Sequence, residues 1–155
     1  MNGLRDGTHY KRQVLENMRK SLVQSMNFGA RFVFYCGYQA PDFVNELTGG
    51  VSQFPSELIF NFKEWRKIEN YKRIIKPEED FDHMGNKDCF SMKPSFTIII
   101  LQDYDLNDPD CIERRQELIN NIPNVLDNFD IFEVVQNQEG SYNKIEDIEL
   151  EENQE

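Results

Sequence analysis

Three stretches of this sequence carry side chains that could hold a divalent metal. The first pairs Pro41-Asp42 with Asn61-Phe62-Lys63, which places a carboxylate and a lysine on neighbouring segments. The second is the pair Asp103 and Asp105 after an apolar run, and the third is the loop sequence Asp80-Phe81-Asp82-His83. A metal held by such oxygen ligands stabilises charge on a phosphoryl oxygen and activates water. Each stretch could therefore support phosphodiester chemistry if the fold positions it.

The elements that would position these residues start from the run 96–101, Phe96-Thr97-Ile98-Ile99-Ile100-Leu101. This run is short, β-branched and apolar on both faces, which predicts a strand in the middle of a sheet. Further strands are predicted at 31–36, 57–62 and 128–135, and residues 43–47 form either a short edge strand or a helix. Apolar residues at a spacing of 3.6 predict helices over 8–27, 63–75 and 108–122.

Strands that alternate with helices of ten or more residues are typical of an α/β protein. We therefore expect one three-layer domain over residues 1–135, with a mixed sheet of about four to five strands flanked by three helices. Residues 136–155 form a separate segment of Gln, Asn, Glu and Asp, which predicts a flexible acidic C-terminal tail.

The predicted order of helix, strand, possible strand, strand, helix and strand resembles the core of the restriction-endonuclease-like PD-(D/E)xK nucleases over residues 9–101. In that family an aspartate and an acid-x-lysine element bind metal and orient the attacking water. Asp42 would match the aspartate, and Lys63 would match the lysine. Asn61 stands where the family has its second acid, so the resemblance leaves Asp42 as the one anionic ligand on the sheet.

The Asp103-x-Asp105 pair resembles the paired acids of toprim domains, which hold Mg²⁺ at the carboxyl end of a strand. Those domains also use a glutamate after their first strand, and this chain has Gly37 there.

A basic helix face is the strongest local charge feature of the folded part. Residues 63–76 contain six cations against two acids, whereas the whole chain has a net charge of −11. The sequence predicts that a partner binds this face through five side chains, Lys63, Arg66, Lys67, Lys72 and Arg73.

The tail offers a second docking element. It carries seven acids against one lysine, with three isolated apolar residues at Ile145, Ile148 and Leu150. We expect these three side chains to fit a groove on a partner. Two oppositely charged surfaces on one small protein favour electrostatic steering between proteins. Negative net charge opposes binding to nucleic acid, which stays possible through the basic face.

Three cysteines, Cys36, Cys89 and Cys111, form no CxxC or Cys/His cluster, so the sequence predicts reduced thiols and a cytoplasmic location. It contains no apolar segment long enough to span a membrane and no leader-like start. No cofactor is predicted.

The favoured function is a non-catalytic interaction or structural subunit of a larger protein assembly, which docks through the basic helix face and the acidic tail. A divergent metal-dependent nuclease or nucleic-acid-binding protein is the first alternative, with Asp42 and Lys63 at its site. A small acidic inhibitor or antitoxin-type protein is the second, and it requires the acidic segments to form one surface.

Overall fold

The computed structural model describes residues 7–105, 107–136 and 142–144. Within these ranges the chain forms six α-helices, two short 3-10 turns and four strands. The helices are α1 (Gly7–Phe28), α2 (Ser56–Ile59), α3 (Phe62–Trp65), α4 (Ile68–Tyr71), α5 (Cys111–Asn120) and α6 (Val125–Asn128). The 3-10 turns are Lys72–Ile74 and Pro77–Glu79, and the strands are β1 (Arg31–Tyr35), β2 (Thr97–Leu101), β3 (Val134–Gln136) and β4 (Tyr142–Lys144).

The strands form two separate pairs and not one mixed sheet. β1 and β2 are parallel, with Arg31 opposite Thr97 and Tyr35 opposite Leu101. β3 and β4 form a short antiparallel pair. The predicted three-layer domain with a four-to-five-strand sheet and three helices is therefore wrong for the described residues, in which most of the regular secondary structure is helical.

The first helix and the two parallel strands were predicted correctly. Helix α1 begins one residue before and ends one residue after the predicted 8–27. It ends at Phe28 and is followed by Gly29, which adopts φ +67, a left-handed conformation that glycine takes without a steric penalty. Strands β1 and β2 lie within the predicted 31–36 and 96–101. However, β2 is not in the middle of a sheet, since β1 is its one partner strand in the described structure.

The segment 57–62 is helical, which contradicts the predicted strand. The Pro55 carbonyl accepts hydrogen bonds from the N–H groups of Leu58 and Ile59, and this closes the first turn of α2. The Asn61 side chain then accepts from Glu64 N at 3.3 Å and caps α3. A short buried apolar run has no periodicity that separates strand from helix, and here the flanking proline and asparagine decide for helix.

The other boundaries also differ from the prediction. Residues 43–47 form a turn because the Asp42 carboxylate accepts from the N–H groups of Val44 and Asn45, both at 2.8 Å. The helix predicted over 63–75 is broken at Lys67, whose backbone is extended at ψ 133. Helix α5 covers only part of the predicted 108–122. Of the strand predicted over 128–135, only Val134 and Val135 lie in a strand, β3, whereas Asn128 ends α6.

One hydrophobic core packs α1 against a single face of the β1–β2 sheet. Helices α2 to α5 and the loops after β1 close the core around the strands. Aromatic rings dominate its centre, where Phe34 makes edge-to-face contacts with Phe43 and Phe60 at centroid distances of 5.0 and 6.0 Å. The fully buried large apolar side chains are Leu22, Met26, Phe43, Phe54, Ile59, Phe60, Trp65, Ile74 and Phe96.

Candidate docking surface

The two faces of the β1–β2 sheet differ in what covers them. Side chains alternate along each strand, and residues paired in a parallel register point to the same side. The inner face consists of Phe32, Phe34, Ile98 and Ile100, which pack in or against the core. The outer face consists of Arg31, Val33 and Tyr35 of β1 and Thr97, Ile99 and Leu101 of β2.

The outer face is apolar at its centre and open to solvent. Val33 is 45% exposed, Tyr35 is 69% exposed and Leu101 is 48% exposed. Ile99 lies between them and is partly exposed. Parallel sheets are normally covered on both faces, because their connections place helices there. In the described part of this chain, the outer face has no such cover.

One end of the outer face is acidic. The hydroxyl of Tyr35 donates a hydrogen bond to the Asp103 carboxylate, and Asp103 N donates to the Gly37 carbonyl at 2.7 Å. The hydrogen bond to Asp103 and the charge of that carboxylate raise the pKa of Tyr35. The Asp105 side chain, two residues further on, accepts from Asn107 N at 2.9 Å. We call Asp103 and Asp105 the acidic end.

The opposite end is basic. Arg66 reaches from the end of α3 to the residues before β2, where it donates to the carbonyl of Phe96 at 2.8 Å and to that of Pro94 at 3.4 Å. Lys93 precedes that proline and packs against Gly29, and Arg31 begins β1 opposite Thr97.

Arg31, Arg66 and Lys93, which we call the basic end, are thus gathered where the two strands begin. None of the three makes an ion pair with a carboxylate of the described structure. The strands therefore carry uncompensated positive charge at their start and negative charge at their ends. Of the three cations, Arg31 belongs to the outer face itself, whereas the Arg66 guanidinium lies 5.0 Å from the centre of the Phe62 ring, which stacks on the buried Phe96.

The five predicted docking cations do not share one helix face. They are divided among α3, the break after it and the 3-10 turn Lys72–Ile74. Lys67 pairs with Glu64 at 2.7 Å, and Lys72 pairs with Asp80 at 2.8 Å, so these two charges are compensated within the chain. Lys63 and Arg73 are exposed, and Arg73 Nε donates to the Glu69 carbonyl of the preceding helix α4. Of the five, only Arg66 lies at the basic end.

The residues of the predicted nuclease site occupy other roles. Asp42 caps the turn after β1, and hydrogen bonds from the Asn45 side chain and backbone lower its pKa. Asn61 caps α3, and Lys63 is exposed on that helix. These residues lie on a turn and a helix, so the strands that carry the metal ligands in the PD-(D/E)xK arrangement do not form.

The other candidate metal ligands also bind within the chain. Lys72 holds the Asp80 carboxylate and lowers its pKa, while Asp82 accepts from Asn86 N at 2.9 Å in a tight turn. In the ranges that the structure describes, no three side chains of His, Cys, Asp or Glu form a group that could hold a metal ion.

A buried ionic network lies elsewhere, between α1 and the 3-10 turn Pro77–Glu79. Arg19 is fully buried, although its charge favours solvent, because it lies at helical spacing between Leu15 and Leu22 on the inner face of α1. It binds the carboxylates of Glu16 and Glu79 and donates to the Ile74 carbonyl at 2.7 Å. Lys76 Nζ completes the network at 2.7 Å from Glu16. Every charge has a partner here, so the network stabilises the fold.

The remaining predictions have different outcomes. The predicted tail contacts Ile145, Ile148 and Leu150 lie outside the described residues. No cysteine forms a disulfide: Cys36 is half-buried, Cys89 exposed and Cys111 buried. None of the helices in the described ranges is both long and apolar enough to cross a membrane.

Sequence reasoning missed the outer face itself. The outer face consists of every second residue of β1 and β2, a pattern that can be read from the sequence. The sequence patterns predict both strands inside a larger sheet, however, where both faces would be covered. The chain matches no protein-family model, no curated protein and no solved structure. The geometry of the outer face is therefore what supports a function.

Proposed function

We propose that this chain is a non-catalytic interaction subunit that docks onto a larger protein through the outer face of its parallel sheet. The observation that carries the proposal is the exposed apolar row of Val33, Tyr35, Ile99 and Leu101. A contiguous apolar surface rimmed by polar groups is typical of a protein interaction site. Burial of this surface in a complex would supply the second layer that a parallel sheet normally has.

The charges at the two ends of the outer face support a protein partner. Arg31, Arg66 and Lys93 at one end and Asp103 with Asp105 at the other can each pair with an opposite charge on the partner, which fixes its orientation. The net charge of −11 would repel a phosphate backbone over most of the molecule. We include a cytoplasmic location in the proposal, supported by three cysteines that form no disulfide.

A matched pair of substitutions tests this function. Val33 on the outer face and Val44 in the turn after β1 are 45% and 46% exposed, so Val33→Lys and Val44→Lys place the same charge at equally accessible positions. Each variant is expressed with an affinity tag in the cells from which the protein comes. A partner that co-purifies in fixed stoichiometry is then purified and recombined with each variant.

We expect Val33→Lys to weaken the reconstituted complex at least about tenfold, because an ammonium group would be buried against apolar surface. Val44→Lys should bind as the parent chain does. Circular dichroism and the unfolding midpoint of both variants establish that they are folded. Equal binding by Val33→Lys and the parent chain would refute the outer face as the docking surface.

A further inference from the structure

We propose that the occupant of the outer face is a single amphipathic helix of the partner, which runs antiparallel to β1 and β2. This inference rests on the proposed function and adds the shape, length and direction of what docks there. The outer face belongs to a parallel two-stranded sheet, and the residues that the structure describes leave this face uncovered. Helices are the elements that cover parallel sheets.

The dimensions of the outer face fit one helix. Neighbouring strands lie about 4.8 Å apart, so two strands present two rows of side chains. A helix with its side chains is about 10 Å wide and covers both rows at once. The five paired residues of each strand span about 16 Å, which corresponds to about 11 helical residues at a rise of about 1.5 Å each.

The charges at the ends of the strands determine the direction. A helix carries partial positive charge at its N-terminus and partial negative charge at its C-terminus. The acidic end, Asp103 and Asp105, therefore favours the N-terminus of the docked helix. The basic end, Arg31, Arg66 and Lys93, favours its C-terminus.

The usual connections of parallel strands indicate the same direction. A helix that connects two parallel strands returns the chain to the start of the sheet, so it runs antiparallel to the strands it covers. The partner helix would occupy the place of such a connection. Its apolar residues should recur at three and four positions along one face, with acids in the last turn beside Arg31 and Lys93.

The probe is a pair of 14-residue peptides with identical composition and reversed sequence. The first has leucines at positions 3, 6, 7, 10 and 13, and the second has them at positions 2, 5, 8, 9 and 12. One carries three glutamates in its last turn, and the other carries them in its first turn. A hydrocarbon staple on the opposite face matches their helicity. Binding to the full chain is measured by fluorescence anisotropy at low ionic strength.

We expect the peptide with C-terminal glutamates to bind about tenfold more tightly than its counterpart, since its acids and helix C-terminus both meet the basic end. Arg31→Glu should reduce this preference, Val33→Lys should weaken both peptides, and Val44→Lys should change neither. Equal affinities, or tighter binding of the peptide with N-terminal glutamates, would overturn the proposed direction.

The identity of the occupant is tested separately. A photoreactive benzoylphenylalanine at position 33 is crosslinked in the complex with the purified partner, and the product is mapped by mass spectrometry. Crosslinks spaced by three and four residues on the partner support a helix. Crosslinks at alternate residues, or to a second copy of this chain or its own residues 145–155, would overturn this inference. A strand or helix of the partner at position 33 would still uphold the proposed function, which fails only if Val33→Lys leaves the complex intact.

Discussion

Replacement of Arg19 by methionine should strongly destabilise the fold, although it removes a single side chain from a helix. The guanidinium makes two hydrogen bonds to Glu16 at 2.9 and 2.8 Å and two to Glu79 at 2.6 and 2.7 Å. A fifth reaches the Ile74 carbonyl at 2.7 Å. Methionine fills much of the same space but leaves the two carboxylates and the carbonyl without this donor.

The magnitude follows from what stays buried. Removal of one partner from a buried ion pair typically costs about 3–5 kcal/mol, because the remaining charge keeps its desolvation penalty. The Glu16 and Glu79 side chains retain 25% and 21% exposure, so water can partly replace the arginine. We therefore expect a loss near the lower limit, about 3 kcal/mol. A small domain has only about 5–15 kcal/mol in total.

The effect should also depend on pH. Hydrogen bonds from Arg19 are the largest cause of the fall in the pKa of Glu16 from 4.5 to about 2. A pKa lowered by folding contributes stability that is fully present above pH 4.5 and is lost as the pH falls towards 2. Since a pKa difference of one corresponds to about 1.36 kcal/mol, this fall in the pKa of Glu16 corresponds to about 3.4 kcal/mol of folding stability. Partial exposure of Glu16 reduces this to about 2 kcal/mol.

Urea denaturation followed by the fluorescence of the buried Trp65 measures both effects. The parent chain, Arg19→Met and the control Lys20→Met, at an exposed neighbour on α1, are compared at pH 7, 4.5 and 3. We expect Lys20→Met to stay within about 0.5 kcal/mol of the parent chain. The difference between Arg19→Met and the parent chain should narrow below pH 4.5. A loss under about 1 kcal/mol at pH 7, or a difference that does not change with pH, would refute this account of the network.

Two further predictions concern the ends of β1. Gly29→Ala should lower the free energy of unfolding by at least about 2 kcal/mol, because Gly29 has φ +67 and an added Cβ would overlap Ser95 Oγ. Gly37→Ala, at φ +56 but with open space around it, should lower the free energy of unfolding by only about 1 kcal/mol. Equal losses of stability in thermal denaturation would contradict the steric explanation. Asp103→Asn should lower the pKa of Tyr35 towards its ordinary value, since it removes the carboxylate that raises this pKa. An ultraviolet titration of tyrosine measures the pKa, and Tyr35→Phe identifies which absorbance change belongs to Tyr35. An unchanged Tyr35 pKa in Asp103→Asn would contradict the prediction.

The elements that could be predicted are those whose local sequence leaves one choice. Helix α1 has seven apolar residues at helical spacing and is followed by a glycine. Its 22 residues are enough for the 3.6-residue period to be recognised in the sequence. Strand β2 consists mainly of β-branched residues, whose side chains are restricted in a helix, so its sequence favours a strand. Both were correct to within one or two residues at their ends.

The segment 57–62 shows where this reasoning fails. Its apolar residues suit a buried strand and a buried helix equally well, and contacts outside the run decide between them. The carbonyl of Pro55 closes the turn of α2, and Asn128 Oδ1 accepts from Phe62 N at 2.9 Å, far along the chain. Because residues 57–62 are not a strand, the sheet that contains β2 has two strands among the described residues. The resemblance to the nucleases requires a strand there to carry its acid-x-lysine element, so the structure does not support it.

The sequence by itself determined that the chain has one long amphipathic helix, one aromatic strand, one β-branched strand and charge of opposite sign in different segments. Only the tertiary structure decided that the strands pair with one face uncovered by the described residues, and that the cations Arg31, Arg66 and Lys93 lie where the strands begin. It also decided that Arg19 is buried. The physical reason is that periodicity records which residues avoid water, whereas burial of a charge and exposure of a sheet face depend on which distant segments pack there.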